Sequence, residues 1–213
     1  SKAKAQAHID AGAKKVVISA PAGNDLPTIV YNVNHNTLTA DDKIISAASC
    51  TTNCLAPMAK ALNDYAPIQS GIMSTIHAYT GDQMILDGPH RKGDLRRARA
   101  GAANIVPNST GAAKAVGRVI PSLKGKMTGM AFRVPTADVS VVDLTARLSR
   151  TTTYAEICYA IRHASETYMK DIIGYTTDQV VSTDLIGNPC PCIFDETAGI
   201  MPVSYTHLTL PTN

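Results

Sequence analysis

The chain has 213 residues, a formal net charge of +3 and 45% hydrophobic residues, without a single tryptophan. This composition is ordinary for a globular protein that combines helices and strands, and the small charge does not by itself indicate nucleic-acid binding. No apolar run reaches the length of a membrane span, and no charged segment followed by an apolar core marks a secretory leader. We therefore expect a cytoplasmic protein without a membrane partner.

The five cysteines predict neither a disulfide framework nor a metal site. They are Cys50, Cys54, Cys158, Cys190 and Cys192. Their number is odd, and their spacing is not that of a zinc ribbon or a zinc finger. The pair Cys190 and Cys192 has no second cysteine pair and no nearby histidine that would complete a metal site. Free thiols of this kind fit a reducing compartment.

The first 48 residues predict the last part of a βαβ unit. A helix rich in alanine and lysine over residues 2–11 ends at Gly12, and a short apolar strand follows at residues 15–19. Further strands are expected at residues 28–33 and 44–48. A helix that leads into a buried Val/Ile strand is typical of a parallel sheet. Because the chain begins with Ser rather than Met, and inside a helical pattern, we expect a fragment of a longer protein.

The rest of the chain predicts an α+β body with a mostly antiparallel sheet. Its elements are read from hydrophobic periodicity and from turn residues. A capping-box pattern at Thr153 and Glu156 marks the start of one helix. In residues 127–134 and 139–148 apolar and polar residues alternate, which is typical of two neighbouring strands joined by the Pro-Thr-Ala-Asp turn between them. Helices are predicted at residues 50–64, 110–119 and 153–168, strands at 68–79, 127–134, 139–148 and 180–185, and a long polar connection at 81–108.

Cys50 lies where a predicted strand meets a predicted helix, in the stretch Ser-Cys-Thr-Thr-Asn-Cys. The thiolate is the nucleophilic form of cysteine, and a helix N-terminus stabilises it. His77 ends the next predicted strand, and an imidazole beside a thiol activates it. If that strand lies beside the strand ending at Ala48, both side chains project from one sheet edge, although the residue types alone also fit two structural side chains. Cys54, one helical turn after Cys50, is expected to be a buried structural thiol.

A second group of residues is suited to an anion. Ser109, Thr110 and Gly111 open a predicted helix, whose free backbone N–H groups can hold a phosphate. Arginines precede them in the polar connection, and Arg133 lies in a later strand; guanidinium groups bind phosphate in a bidentate manner. A solvated basic loop is the other interpretation. Because the connection has no aromatic residue for stacking on bases, a phosphorylated small molecule is favoured over nucleic acid. The basic residues of the connection are Arg91, Lys92, Arg96, Arg97 and Arg99.

Three motifs resemble the phosphorylating glyceraldehyde-3-phosphate dehydrogenase family, with a bacterial character. They are SAASCTTNC, STIHAYTGDQ, and the stretch that runs from NIVPNSTGAAKAVGRV to DVSVVDLTARL. Their order and spacing are highly specific, and the similarity runs from about Lys4 to Ile200. The resemblance implies that residues 1–48 are an α/β remnant of a Rossmann-type NAD domain and that residues 49–200 are an α+β catalytic domain.

The resemblance also implies a role for each matching residue. Cys50 would attack the aldehyde of glyceraldehyde 3-phosphate, and His77 would activate the thiol and accept a proton as hydride leaves for NAD. Inorganic phosphate would then cleave the thioester and release 1,3-bisphosphoglycerate. Thr80 and Arg133 match positions for the substrate phosphate. Positions around the substrate and the attacking phosphate are matched by Ser49, Thr51, Arg97, Thr110 and Gly111, and a position that lines the cofactor is matched by Ser19.

Two departures from the family limit what this chain is expected to do. It contains no G-x-G-x-x-G turn for a dinucleotide pyrophosphate, so the choice between NAD and NADP stays open. The similarity ends near Ile200, and residues 201–213 are expected to be a foreign tail. The family implies a homotetramer for the full-length protein. This chain alone is expected to bind NAD weakly or not at all and to be inactive.

Other functions share parts of this pattern. Erythrose-4-phosphate dehydrogenase has the same Cys–His core and the same phosphate-binding residues. A cysteine acyltransferase or hydrolase would use Cys50 and His77 without a nicotinamide, but it would not need the βαβ remnant. A nucleic-acid-binding protein would use the loop from Arg91 to Arg99, and its binding would fall steeply with salt.

Overall fold

The structure is a computed structural model that describes residues 1–201 and 206–212. Within these residues lie four α-helices, four short 3-10 helices and nine strands. The helices are α1 (Lys2–Asp10), α2 (Cys50–Tyr65), α3 (Ala112–Val119) and α4 (Tyr154–Glu166). The strands are β1 (Val16–Ile18), β2 (Ile44–Ser46), β3 (Ile68–Ala78), β4 (Val106–Ser109), β5 (Met127–Val134), β6 (Ser140–Leu148), β7 (Ile173–Thr176), β8 (Cys192–Asp195) and β9 (Thr206–Thr212).

A five-stranded sheet in the order β4-β5-β3-β6-β9 forms the centre of the fold. β3 pairs in parallel with β5. The other three pairs, β3 with β6, β4 with β5 and β6 with β9, are antiparallel. The two-stranded sheets β1-β2 and β7-β8 are both parallel. The central sheet is therefore mixed, and the prediction of a mostly antiparallel sheet was wrong. Parallel pairing needs a crossover connection, which the chain between β3 and β5, including α3, supplies.

Helix α2 covers one face of the central sheet, and its sequence explains why. Leu55, Met58 and Leu62 recur at helical spacing and are fully or almost fully buried. They share one apolar core with Met73 of β3 and Leu144 of β6. Helices α3 and α4 pack against α2 on either side. No helix among the described residues is long and apolar enough to cross a bilayer.

The predicted capping box of α4 is confirmed. The Glu156 N–H donates to the Thr153 hydroxyl at 3.3 Å, and the Glu156 carboxylate accepts from the Thr153 N–H at 2.7 Å. Two otherwise unpaired backbone N–H groups are thus satisfied, which sets where the helix begins.

The strand predicted at residues 28–33 was wrong. This segment makes a single parallel bridge, from Thr28 to Ser46, and then turns. The Asn34 side chain causes the turn, because it accepts from the Val30 N–H at 2.8 Å and donates to the Thr28 carbonyl at 2.9 Å. A short amide side chain here satisfies backbone groups that a strand would pair.

The strand predicted at residues 180–185 was also wrong. Ser182–Leu185 form a turn of 3-10 helix, and the Asp184 carboxylate accepts from the Val181 N–H at 2.8 Å. The apolar residues read as a strand are therefore divided by a local polar cap. The strands that flank this region, β7 and β8, were not predicted.

Two predicted strand neighbours are separated in the structure. β5 and β6 alternate as expected, but β3 lies between them. The condition that β3 lies beside the strand ending near Ala48 is not met, because that strand, β2, pairs with β1. Hydrophobic alternation identified β3, β5 and β6 correctly, but it carries no information about which strand pairs with which, because any strand with one buried face has the same period.

Candidate active site

The junction between β2 and α2 brings Cys50 to the first position of a helix. Ala48 has a φ of 62°, a left-handed conformation that costs a non-glycine residue roughly 1 kcal/mol. The Ser46 hydroxyl holds it by accepting from its N–H at 3.2 Å. Ser49 then caps the helix by accepting from the Thr52 N–H at 3.1 Å. The chain is thus turned sharply out of the small sheet, and the Cys50 thiol is left exposed at the helix start.

Cys50 and His77 meet although their elements are not sheet neighbours. The Cys50 Sγ lies 3.5 Å from His77 Nε2. His77 lies near the end of β3, is 7% exposed, and is opposite Arg133 in the register of β3 with β5. Because α2 lies across the sheet face that His77 occupies, helix packing rather than strand pairing brings the two side chains together.

The other ring nitrogen of His77 fixes the tautomer. Nδ1 lies 2.7 Å from the Ala78 carbonyl oxygen, which can only accept, so Nδ1 carries the proton and donates it. The Arg133 Nη1 lies 3.0 Å from the same nitrogen, but it has its own acceptors in the Ala78 carbonyl and the Thr80 hydroxyl, each at 3.2 Å. Nε2 is therefore unprotonated and faces the Cys50 thiol as an acceptor.

Burial lowers the pKa of His77, and the nearby charge of Arg133 lowers it further. The hydrogen bond to the Ala78 carbonyl acts in the opposite direction but is the smaller effect. At neutral pH the imidazole is thus held in the neutral form, which is the form that can take a proton from a thiol.

Arg133 and Thr80 form a polar pair at the end of β3. Partial burial lowers the pKa of Arg133, and the charge of Arg97 adds to this effect. The Arg133 Nε is buried and has no hydrogen-bond partner among the described residues. A buried guanidinium N–H without an acceptor is costly, so an anion that supplied one would be stabilised here.

Arg97 comes from the polar connection, in the segment between β3 and β4. Its Nε donates to the Asn108 side chain at 3.0 Å, and its Nη1 pairs with the Asp82 carboxylate. The side chain is only 18% exposed. Two arginines with partly buried guanidinium groups, Arg97 and Arg133, therefore approach the Cys50–His77 pair.

The N-terminus of α3 supplies hydroxyl and backbone groups to the same region. The capping residue is Gly111. The Thr110 hydroxyl accepts from the Ala112 N–H at 3.2 Å, so it satisfies one of the first N–H groups of the helix. One N–H group and one hydroxyl that were expected to bind an anion are thus hydrogen-bonded to each other at the start of α3.

A single cavity of about 980 Å³ joins these groups. Its wall includes Cys50, His77, both arginines and the start of α3. It is also lined by small residues of the segment after β1, among them Ala20, Ala22 and Gly23. All of the positions predicted as site residues line it: Ser19, Ser49, Cys50, Thr51, His77, Thr80, Arg97, Thr110, Gly111 and Arg133. Their roles stay predictions.

Sequence reasoning missed Asp82, which also lines the cavity. Its carboxylate accepts from Arg91 at 3.1 Å and pairs with Arg97. Arg99 is likewise paired, with Asp87 at 3.1 Å. The sequence does show aspartates among the basic residues of the polar connection, namely Asp82, Asp87 and Asp94. Their presence argues against an exposed basic surface whose charges are unpaired.

Comparison with known proteins places the chain in a family. Residues 49–209 match the sequence profile of the glyceraldehyde 3-phosphate dehydrogenase C-terminal domain. A glyceraldehyde-3-phosphate dehydrogenase of Streptococcus pyogenes is 59% identical over 197 residues, which is 92% of this chain and 57% of the relative. Glyceraldehyde-3-phosphate dehydrogenase 2 of Mucor circinelloides f. lusitanicus is 60% identical over 196 residues, with 92% and 57% covered.

The matched profile identifies the larger part of the chain as the C-terminal domain of a dehydrogenase. The chain belongs to the glyceraldehyde-3-phosphate dehydrogenase family. It spans a little over half the length of the curated relatives named here. The family profile extends nine residues into the segment that the sequence led us to expect as foreign.

Proposed function

We propose that these residues supply the catalytic half of a phosphorylating glyceraldehyde-3-phosphate dehydrogenase. The enzyme would convert glyceraldehyde 3-phosphate, NAD and inorganic phosphate into 1,3-bisphosphoglycerate and NADH. One observation carries the proposal: Cys50 Sγ lies 3.5 Å from His77 Nε2, in a cavity that Arg97 and Arg133 also line. The family membership and the identity to the Streptococcus pyogenes enzyme support it.

Covalent catalysis begins at Cys50. His77 Nε2 takes the thiol proton, and the sulfur attacks the aldehyde carbon, so that a C–S bond forms as the carbonyl π bond breaks. The same imidazole returns the proton to the new alkoxide and gives a hemithioacetal. In the next step His77 removes the hydroxyl proton while the carbon–oxygen double bond re-forms as a thioester. Bound NAD would supply the acceptor for the hydride that leaves this carbon.

Phosphate cleaves the thioester in the last step. An oxygen of inorganic phosphate forms a bond to the acyl carbon, the C–S bond breaks, and the thiolate of Cys50 leaves. The start of α2 stabilises that thiolate through its backbone N–H groups and dipole. We assign the attacking phosphate to Arg97, with hydroxyl and backbone groups of Ser49, Thr51, Thr110 and Gly111, which share the cavity.

The substrate phosphate is assigned to Arg133 and Thr80. The Nη1 of Arg133 already donates to the Thr80 hydroxyl at 3.2 Å, so the two groups are held together. A phosphate oxygen would also satisfy the buried Arg133 Nε. Two separate arginines agree with a reaction that handles two phosphates at once.

The cavity wall fits the nicotinamide end of NAD. Ser19, Ala20 and Ala22 line it with small side chains, which leaves room for a planar ring near Cys50. The G-x-G-x-x-G turn that binds the pyrophosphate is not in this sequence. We therefore propose that residues 1–48 are the last part of an NAD domain, that residues 49–200 form the catalytic domain, and that this chain alone binds NAD weakly.

Residues 201–213 are retained as a proposed foreign tail. Two observations weigh against this origin, since the family profile reaches residue 209 and β9 pairs antiparallel with β6. Residues 202–205 and 213 lie outside the described part of the chain. The complete reading frame tests the proposal, because a family-like sequence through and beyond residue 213 would refute it.

We propose a homotetramer in the cytoplasm for the full-length enzyme. The face of the central sheet away from α2 carries apolar side chains, with Ile72 49% and Met130 45% exposed. An apolar sheet face of this kind is covered in most proteins, and a second copy is the occupant proposed here. Within the described residues the cysteines form no disulfide, and thiols of this kind fit a reducing compartment.

The function is tested with two matched cysteine variants of the full-length protein. Cys50→Ser should abolish NAD reduction by glyceraldehyde 3-phosphate, because a serine hydroxyl is far less acidic and less nucleophilic than the thiol that it replaces. Cys54→Ser, which alters a fully buried thiol one turn away, should retain activity. Unchanged turnover of Cys50→Ser would rule out the assignment. Erythrose 4-phosphate as substrate separates the related dehydrogenase by its kcat/KM.

A further inference from the structure

The guanidinium group of Arg97 is held from several sides. Its Nε donates to Asn108 Oδ1 at 3.0 Å and lies 3.3 Å from Asp94 Oδ2, while its Nη1 pairs with the Asp82 carboxylate. No hydrogen bond among the described residues uses its Nη2. Because a guanidinium is planar, fixing Nε and Nη1 also fixes the direction of Nη2, the one nitrogen left for a ligand of the cavity.

Asp82 is itself fixed by a buried histidine. His90 Nε2 donates to the Asp82 carbonyl at 2.8 Å, and His90 Nδ1 accepts from the N–H groups of Lys92 and Asp94, each at 3.3 Å. The imidazole thus ties together the two backbone segments that carry Asp82 and Asp94. Both carboxylates that contact Arg97 are thus positioned by one side chain that does not reach the cavity.

A carboxylate in the wall of an anion-binding cavity needs an explanation. Partial burial opposes the ionisation of Asp82, but the hydrogen bond from Arg91 and the charge of Arg97 outweigh it, so the pKa of Asp82 is lowered. A negative charge there repels a bound phosphate through simple Coulomb interaction. Asp82 can favour phosphate binding only through the cations that it contacts, and of these Arg97 is far more buried than Arg91 or Lys92.

We propose that Asp82 is a positioning residue, whose carboxylate orients the Arg97 guanidinium so that Nη2 meets the attacking inorganic phosphate. The inference rests on the proposed function for the assignment of Arg97 to that phosphate. Orientation and repulsion have opposite signs, so removing the carboxylate distinguishes them. Loss of orientation weakens phosphate binding, whereas loss of repulsion strengthens it.

The test measures how inorganic phosphate protects Cys50 from alkylation by iodoacetamide, a neutral reagent, on the 213-residue chain. No cofactor or turnover is needed. Asp82→Ala should raise the phosphate concentration that gives half-protection about tenfold, the loss expected for one charge-assisted hydrogen bond. Asp64→Ala is the matched control, since Asp64 pairs with Lys60 on the surface of α2 and should leave protection unchanged.

A double-mutant cycle separates positioning from general damage to the loop. In the Arg97→Ala background, Asp82→Ala should have no further effect, because there is no guanidinium left to orient. Tighter or unchanged phosphate binding by Asp82→Ala would overturn the proposal, and so would a full effect that persists without Arg97. If Asp82→Ala does not fold, the isosteric Asp82→Asn replaces it, and tighter binding by that variant contradicts the proposal equally.

This test and the test of the proposed function fail independently. Activity of Cys50→Ser would remove the dehydrogenase mechanism but would leave the protection measurements interpretable as anion binding. If the double-mutant cycle shows no coupling between Asp82 and Arg97, the positioning role of Asp82 is refuted, but the roles proposed for Cys50 and His77 are unaffected.

Discussion

The two walls of the cavity are built in different ways. Cys50 and His77 lie on α2 and β3, and the buried apolar side chains of both elements belong to the main core. Arg97 and Asp82 lie on the polar connection between β3 and β4, whose order depends on ion pairs and on side-chain bonds to the backbone. The proposed nucleophile is therefore positioned by packing, and the proposed anion site by a polar network. Changes to the core and to the loop should affect different properties.

A core substitution gives the largest expected effect. Leu55→Ala removes a fully buried side chain of α2 and should lower the free energy of unfolding by roughly 2–5 kcal/mol. Urea denaturation measures the change. A loss below about 1 kcal/mol would mean that α2 does not depend on this core, and that the packing of the helix does not position Cys50.

Replacing the imidazole tests the packed wall without disturbing the core. His77→Gln should slow alkylation of Cys50 by iodoacetamide roughly 100-fold at neutral pH, since general-base assistance is worth about that much. His35→Gln, at an exposed histidine, is the control and should leave the rate unchanged. Equal rates for the parent chain and His77→Gln would show that the 3.5 Å contact does not activate the thiol.

Acidification should lower the free energy of unfolding through the protonation of His77. Its folded-state pKa is lowered by burial, so the unfolded chain binds the proton more readily. The stabilisation is fully present above the unfolded pKa of about 6.5 and is lost as the pH falls through that value toward the lowered one. Urea denaturation at a series of pH values should therefore show a smaller loss on acidification for His77→Gln than for the parent chain. A larger loss in the variant would contradict the sign.

A surface ion pair of the loop should have the smallest effect. Arg99 pairs with Asp87 at 3.1 Å, but both side chains are more than 60% exposed. Exposed pairs of this kind are screened by water and salt. Arg99→Ala should leave the urea midpoint and the phosphate protection of Cys50 unchanged within error. A clear loss of protection would show that the whole loop, and not only the Asp82–Arg97 contact, supports the anion site.

The packed wall was easier to predict from the sequence than the polar one. Helical spacing of Leu55, Met58 and Leu62 identifies the buried side of α2, and the strand-to-helix junction singles out Cys50. The contact between Cys50 and His77 was inferred on the condition that β3 lies beside β2. In the structure β3 lies between β5 and β6 instead. The contact occurs because α2 crosses the sheet, a feature set by packing between distant segments that local periodicity does not record.

The polar wall depends on pairings that sequence patterns leave open. Arg97 was named through the family resemblance, but its contact with Asp82 and the role of His90 depend on loop geometry. Side-chain bonds to the backbone, such as those of Asn34 in the misread strand, are equally local and equally hard to choose among the many polar residues available. The polar connection was predicted only as a long loop, and β4 within it was missed.

The central claim is that the Cys50 thiol becomes acylated during the reaction. The most direct measurement is peptide mass spectrometry of the full-length protein after incubation with glyceraldehyde 3-phosphate and NAD in the absence of phosphate. Without phosphate the thioester has no acceptor, so the account predicts a phosphoglyceryl group on the peptide that contains Cys50, lost when phosphate is added. An unmodified Cys50, or an acyl group carried by Cys54 instead, would contradict it.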